Sequence, residues 1–245
     1  NVSLTVTDDE GETDTSTQTV SVGDGDDDEG SSDFRGDDDG DGLILYDDFE
    51  DGLQDGEYFT FEGAGAGIGL AESSDVPMES DGSTALAATI DGGGGGGFAG
   101  FGKEGDGIDV SDLGDEPYFT MYVKSDATEP FELEINLQED QDGNGSFDGD
   151  GPVDDEFQYD HLVDPDESGY TRINIPLSAF FDDNSVNGGG DGELSSRIAN
   201  LVFAIGNIPA ETFTVTVDDI IYSDQDLSSE DGAVQSACGD DYELF

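Results

Sequence analysis

The sequence predicts an all-β protein, an antiparallel β-sandwich or jelly roll preceded by a β-hairpin. Three observations predict it. Apolar residues alternate with polar ones in run after run, the period-two pattern of strands with one buried face. Clusters of Gly, Asn and Asp separate the runs and supply turn chemistry. No stretch of useful length repeats at the helical period, and residues 178–198 hold at most a short helical turn.

The elements follow in order. In residues 1–22, Val2, Leu4 and Val6 alternate with polar neighbours, Asp8-Asp9-Glu10-Gly11 makes the turn, and Thr13 to Val22 returns as a Thr/Val-rich strand. Residues 23–42 are an acidic, Gly- and Ser-rich linker whose like charges keep it extended and solvated. Residues 43–223 form the main domain, with strands expected at Leu43–Phe49, Tyr58–Phe61, Ala85–Ile90, Tyr118–Lys124, Phe131–Gln138, Glu156–Val163, Tyr170–Pro176, Ala199–Ile205 and Phe213–Tyr222. Many short strands with Gly-rich connections indicate a sandwich or jelly roll. Residues 224–245 return to an acidic, irregular linker or tail. The run Gly92–Gly97, with Gly100 and Gly102, lacks a following helix and a Lys-Ser/Thr pair, so it reads as a flexible loop beside a strand, near Phe98 and Phe101, not as a phosphate loop.

Charge sets the environment and excludes partners. Against 63 Asp and Glu stand 5 Lys and Arg, a formal net charge of −58. Self-repulsion at that density opposes a compact state in dilute buffer. Molar salt shortens the screening length to roughly 3 Å and removes most of the repulsion, so the composition predicts a protein that works in high salt. Nucleic acid and anionic membrane surfaces are excluded, because binding them requires cations. The single cysteine, Cys238, allows no disulfide within the chain, and no run of apolar residues is long enough to span a membrane.

Two stretches resemble known families. VSLTVTDDEGETDTSTQTVSV is similar to the last two strands of a PKD repeat, an immunoglobulin-like sandwich. The resemblance implies that residues 1–22 are the C-terminal hairpin of a partial domain, completed by upstream sequence or by a neighbouring subunit. LYDDFEDG at 45–52, EPYFTMYVKSD at 116–126, FELEINLQED, DEFQYDH, the stretch from Tyr170 to Gly206 and the closing TFTVTVDDIIYS resemble, in order, galactose-binding-like jelly rolls, notably family 11 carbohydrate-binding modules. That resemblance implies a jelly roll that binds polysaccharide without catalysis. It also implies a structural calcium between first and last strands, held by Asp48, Glu50 and Asp219. The chain has no Trp, so Tyr and Phe must supply any aromatic sugar platform.

Three further readings come from the residues themselves. Asp140, Asp142 and Asn144 stand at positions 1, 3 and 5 of a calcium-loop pattern, with Gly145 at position 6 and Asp148 at position 9. Gly151 occupies position 12, so the bidentate ligand is missing or comes from Asp154 or Asp155. Strand parity puts Phe131, Leu133, Ile135 and Leu137, with Phe119, Met121, Val123, Ile173 and Ile175, in the core. It leaves Tyr122, Glu134, Asn136 and Arg172, with Tyr159 and His161 beside them, as a candidate sugar-binding face. His161, the only histidine, has no nucleophile in a recognisable context, and carboxylates are too common to mark a hydrolase. The expected function is a non-catalytic glycan-binding module of a secreted or cell-surface protein, with polysaccharide or surface glycan as partner. The alternatives are a structural subunit of an extracellular filament or surface layer, contacting neighbours through residues 1–22, and the accessory region of a polysaccharide hydrolase.

Overall fold

The computed structural model describes residues 2–7, 13–18, 42–53, 56–78, 80, 82–103, 107–144, 146–147, 154–165, 169–182 and 190–228. The chain divides into two compact units, Asn1–Ser32 and Asp33–Phe245. In the first, β1 (Val2–Thr7) pairs antiparallel with β2 (Thr13–Gln18), with Val2 opposite Gln18 and Thr7 opposite Thr13. This is the expected hairpin. Its turn, the linker from 23 to 41 and the tail from 229 onward lie outside the described residues.

The second unit is an all-β sandwich of two sheets. Its strands are β3 (Leu43–Asp47), β4 (Tyr58–Gly63), β5 (Gly67–Ser73), β6 (Ala85–Asp91), β7 (Phe98–Lys103), β8 (Ile108–Asp109), β9 (Tyr118–Ser125), β10 (Phe131–Glu139), β11 (Glu156–Val163), β12 (Thr171–Pro176), β13 (Phe181–Asp182), β14 (Arg197–Ile205) and β15 (Thr212–Ser223). Sheet I runs β13-β11-β10-β14-β7-β4, with β8 also on β14. Sheet II runs β12-β9-β15-β6-β5, with β3 also on β15. All paired strands are antiparallel. Single 3₁₀ turns occupy Ser111–Leu113 and Leu177–Ala179. Among the described residues no helix is long and apolar enough to cross a membrane.

Period-two alternation builds the core. Phe131, Leu133, Ile135 and Leu137 of β10 and Phe119, Met121 and Val123 of β9 are buried between the sheets, as their parity predicts. Val215, Val217 and Tyr222 of β15 and Leu201, Phe203 and Ile205 of β14 complete the layer. Each large side chain buried this way contributes roughly 1.5–3 kcal/mol. Aromatic pairs bridge the interior, Phe131 to Phe213 at 5.1 Å and Phe119 to Tyr222 at 5.5 Å between ring centroids.

Two corrections to the sequence reading bear on function. Phe98–Lys103 is no loop. It is β7, an inner strand of sheet I between β14 and β4. Its glycines hid the strand, because Gly100 and Gly102 leave no alternation to read. The domain also continues past 223. Leu227 is buried, and the 224–228 segment docks on sheet II through Asn174, whose Nδ2 donates to Asp226 Oδ1 at 2.7 Å and whose Oδ1 accepts Leu227 N at 3.3 Å.

Candidate functional site

The outer side of sheet I carries a row that crosses six of its strands in register: Phe59, Gly102, Val202, Asn136, Gln158 and Phe181. The next row holds Phe61, Gly100, Ala204, Glu134 and Asp160. At the β4 edge the Phe59 and Phe61 rings lie nearly parallel, 6.3 Å apart with 28° between their planes. They lean over glycines. A Cβ on Gly100 would sit 2.2 Å from Phe61 Cζ, and one on Gly102 would sit 2.6 Å from Phe59 Cζ. Phe98 covers Gly63 in the same way and remains 48% exposed. The glycines are therefore what let three rings lie flat on the sheet as a platform.

Beyond the small residues Val202 and Ala204 the surface becomes polar. Asn200 Nδ2 donates to Gln138 Oε1 at 2.9 Å, and Gln138 Nε2 donates to Glu156 Oε2 at 2.6 Å. Gln158 Nε2 donates to Asp160 Oδ1 at 2.5 Å. Asn136 is buried, and its Oδ1 has no hydrogen-bond partner among the described residues. Phe181, 49% exposed, closes the row at the β13 edge. Rings at the ends and converging amides and carboxylates between them suit a ligand with apolar ring faces and many hydroxyls.

Sequence comparison finds no matching family model and no matching curated protein. Solved structures do match. A family 11 carbohydrate-binding module from Clostridium thermocellum, solved with a β-1,3-1,4-mixed-linked tetrasaccharide, is 21% identical, with a TM-score of 0.54 over 74% of this chain and 95% of the module. The family 11 module of the cellulosomal cellulase Lic26A-Cel5E of Clostridium thermocellum is also 21% identical, with a TM-score of 0.53 over 74% of this chain and 94% of its own. The sandwich is the fold of family 11 carbohydrate-binding modules. The same arrangement recurs inside an exo-β-agarase, at 12% identity and a TM-score of 0.51, where it covers 78% of this chain and 25% of the agarase.

The family 11 fold divides the residues that parity had put on one face. Glu134 and Asn136 stand on the outer side of sheet I. Tyr122 and Arg172 face each other across β9 and β12, in sheet II, on the opposite side of the sandwich. Tyr122 is moreover only 5% exposed, so it offers no ring face to a ligand. Tyr159 and His161 pair with Ile135 and Leu133, which turns them to the inner side. Tyr159 packs on Phe180 at 5.7 Å, and His161 lines a small crevice at the sandwich edge with Val123, Lys124, Val163 and Thr171. The residues missed were Phe59, Phe61, Phe98 and Phe181. A signal existed: alternating Phe on one strand and alternating Gly on another are complementary once the two strands pair.

The carboxylate sites also differ in detail from expectation. Where β3 meets β15, Asp218 is fully buried, and its Oδ2 has no hydrogen-bond partner among the described residues. Burial, and then the charges of Asp219, Glu50 and Asp48, push its pKa up to about 8. The charges of the expected trio thus act on a fourth carboxylate, Asp218, that is itself buried. Asp219 sits at a bulge with φ of 46°, and its N–H donates to Asp218 Oδ1 at 2.9 Å. Glu50 accepts the N–H groups of Ser83 and Thr84, both at 2.7 Å, which fixes that loop to the cluster. A buried carboxyl oxygen with no partner among the described residues fits a hard cation, whose charge would keep it ionised.

In the second cluster, oxygens of Asp140, Asp142 and Asp154 lie within 4.8 Å of one another. Asp154 supplies the carboxylate that position 12 lacks. Asn144 Oδ1 accepts Ser146 N at 2.9 Å, and its N–H donates to Asp140 Oδ1 at 2.9 Å. Arg197 Nη2 stands 3.3 Å from Asp140 Oδ2 and offsets part of the charge. Asp148 lies outside the described residues.

Proposed function

We propose that this chain is a non-catalytic glycan-binding module whose site is the outer side of sheet I. The observation that carries it is the in-register row from Phe59 to Phe181. Five inter-strand steps make it roughly 24 Å long, the span of an oligosaccharide and not of a single sugar. Phe59, Phe61 and Phe98 stack on pyranose faces. Asn136, Gln138, Gln158 and Glu134 read hydroxyls, the orphaned Asn136 Oδ1 as an acceptor. The charges of β10 and β11 on this face are carboxylates, which favours a neutral chain. The mixed-linkage glucan bound by the family 11 neighbour makes neutral β-glucans the first class to test.

Calcium belongs to this reading as a structural tether: Asp218 with Asp48, Glu50 and Asp219 joins the first strand of the sandwich to its last, and Asp140, Asp142 and Asp154 form a loop site. The acidic surface and the module architecture fit a secreted or cell-surface protein working in high salt.

Affinity electrophoresis and calorimetry with mixed-linkage β-glucan in molar NaCl test the site. Phe61→Ala and Phe59→Ala should each weaken binding by about 1–2 kcal/mol, roughly tenfold. Arg172→Ala should leave it unchanged, since that residue is on the other face. No binding across a panel of neutral glycans, or equal losses from Phe61→Ala and Arg172→Ala, would remove the proposal and leave a spacer role.

A further inference from the structure

The chain carries 63 acids, yet in the described strand registers two of them stand directly opposite each other at one position only, Glu134 of β10 and Asp160 of β11. Directly opposed like charges destabilise a strand pair. Glu132, two residues along β10, is diagonal to Asp160 and adds a third carboxylate on the same outer side. No described lysine or arginine stands beside the pair in sheet I. Lys103 is buried with Asp47 and Glu57, and Lys124 and Arg172 belong to sheet II. Arg197 is engaged with Asp140 at the opposite end of β14 from Ala204, the neighbour of Glu134. His161 follows Asp160 but is turned to the inner side, opposite Leu133.

Two features of the same face point to a ligand at this pair. Asn136, two residues along β10 from Glu134 and on the same side, is 6% exposed, and its Oδ1 has no hydrogen-bond partner among the described residues. A buried acceptor left so is costly unless a donor from outside reaches it. The second feature is Phe61, which shares a cross-strand row with the two acids. Only Gly100 and Ala204 lie between them, so no bulky side chain separates the ring from the carboxylates. From β4 to β10 the row takes three inter-strand steps, roughly 14 Å, a distance that a few linked pyranoses cover.

We propose that Glu134 and Asp160 make the outer side of sheet I select a glycan with free amino groups, a β-linked glucosamine chain, over its neutral counterpart. The proposal rests on the glycan reading above and adds a cationic class that the same face holds more tightly. An ammonium at C2 of a pyranose donates N–H to both carboxylates, and its charge offsets their repulsion across β10 and β11. A hydroxyl at that carbon donates a single hydrogen and brings no charge, and acetylation of the amine removes the charge. Asn136 Oδ1 accepts an N–H or O–H from the adjoining unit, and a further unit stacks on Phe61. The described carboxylates whose oxygens converge as a set of three are Asp140, Asp142 and Asp154, not these. The pair therefore suits a singly charged donor, where calcium would demand more oxygens.

The probes are β-1,4-linked oligomers of glucosamine, N-acetylglucosamine and glucose, equal in length and differing only at C2. Each is titrated calorimetrically into the full-length chain in molar NaCl, which suppresses long-range attraction to the −58 charge. Wild type should bind the glucosamine oligomer about fivefold tighter than the glucose oligomer, and the acetylated oligomer no tighter than glucose. Asp160→Asn and Glu134→Gln should each bring that ratio close to unity. Both should melt at or above wild type, because the opposed charges are gone; if Glu134→Gln fails to fold, Asp160→Asn, the exposed member of the pair, carries the test. Asp112→Asn, in the exposed 3₁₀ turn Ser111–Leu113, should leave the ratio as in wild type. Raising the pH until the sugar amine is neutral should abolish the preference. Equal wild-type affinity for the glucosamine and glucose oligomers overturns the inference and leaves the glycan site standing. So does an equal loss of preference in Asp112→Asn, or acetylated oligomer bound as tightly as free amine. Failure of all three to bind removes the glycan site itself, and this inference with it.

Discussion

Lys103 is one of only five cationic residues, yet it lies inside the sandwich, 2.8 Å from Asp47 and 2.6 Å from Glu57. Tyr58 also donates to Asp47, and the ammonium stands 5.6 Å from the Tyr58 ring centre and 5.8 Å from that of Tyr46. Burial pulls the lysine pKa down, but its bonds to Asp47 and Glu57 and their charges outweigh this and hold it above the ordinary value. A raised folded pKa stabilises fully below the unfolded lysine value, roughly 10.4, and the contribution is lost as pH rises through the folded one. The wild-type melting temperature should therefore fall through that alkaline window more than that of Lys103→Met. At neutral pH Lys103→Met should cost about 3–5 kcal/mol, because two acids lose their counter-charge. Equal alkaline losses in both proteins would show that the ion pair contributes nothing there. None of this was legible in the sequence, where Lys103 follows a glycine-rich run. Acidic positions were half legible. DDFED and VDDI pointed to the cluster, but alternation puts Asp218 on the outer side of sheet II beside Tyr122, and nothing in the sequence marks it as buried there.

At the scale of elements, alternation revealed the strands whose two faces differ and concealed those made of glycine. β10, with Phe131, Leu133, Ile135 and Leu137 in and Glu132, Glu134, Asn136 and Gln138 out, was read correctly residue by residue. β5 and β7, GIGLAES and FAGFGK, were not. In β7 the glycines are the side of the strand that accepts the rings of β4. Gly100→Ala tests this directly, since its Cβ would meet both Phe61 Cζ and the Phe203 carbonyl oxygen, 2.4 Å away on the neighbouring backbone. The phenyl ring can swing aside, but the carbonyl cannot. The substitution should destabilise by about 1–3 kcal/mol in a denaturant melt, and it should weaken glucan binding by unseating Phe61. A variant as stable as wild type with unchanged affinity would mean that the rings do not depend on the glycine floor.

For the whole molecule, alternation distinguishes inside from outside but not one sheet from the other. A sandwich has two outer sides, and parity alone merges them. That is why Tyr122 and Arg172 were grouped with Glu134 and Asn136, although a full core separates them. Net charge acts at this same scale. With −58 on the chain, lowering NaCl from molar to millimolar lengthens screening from roughly 3 Å to tens of ångströms, and the melting temperature should fall steadily. A constant melting temperature across that range would detach the acidity from stability. The route of the chain through the sandwich has a mechanical consequence. Leu43, opening β3, lies opposite Ser223, closing β15, and Asp224 N bonds Gly42 O at 2.9 Å. Tension applied along the polypeptide would thus be met between two adjacent antiparallel strands and would open them like a zipper, one bond at a time. The two sheets would hang beside the line of force, and the Asp218 cluster would be the first lock reached as β3 peels away.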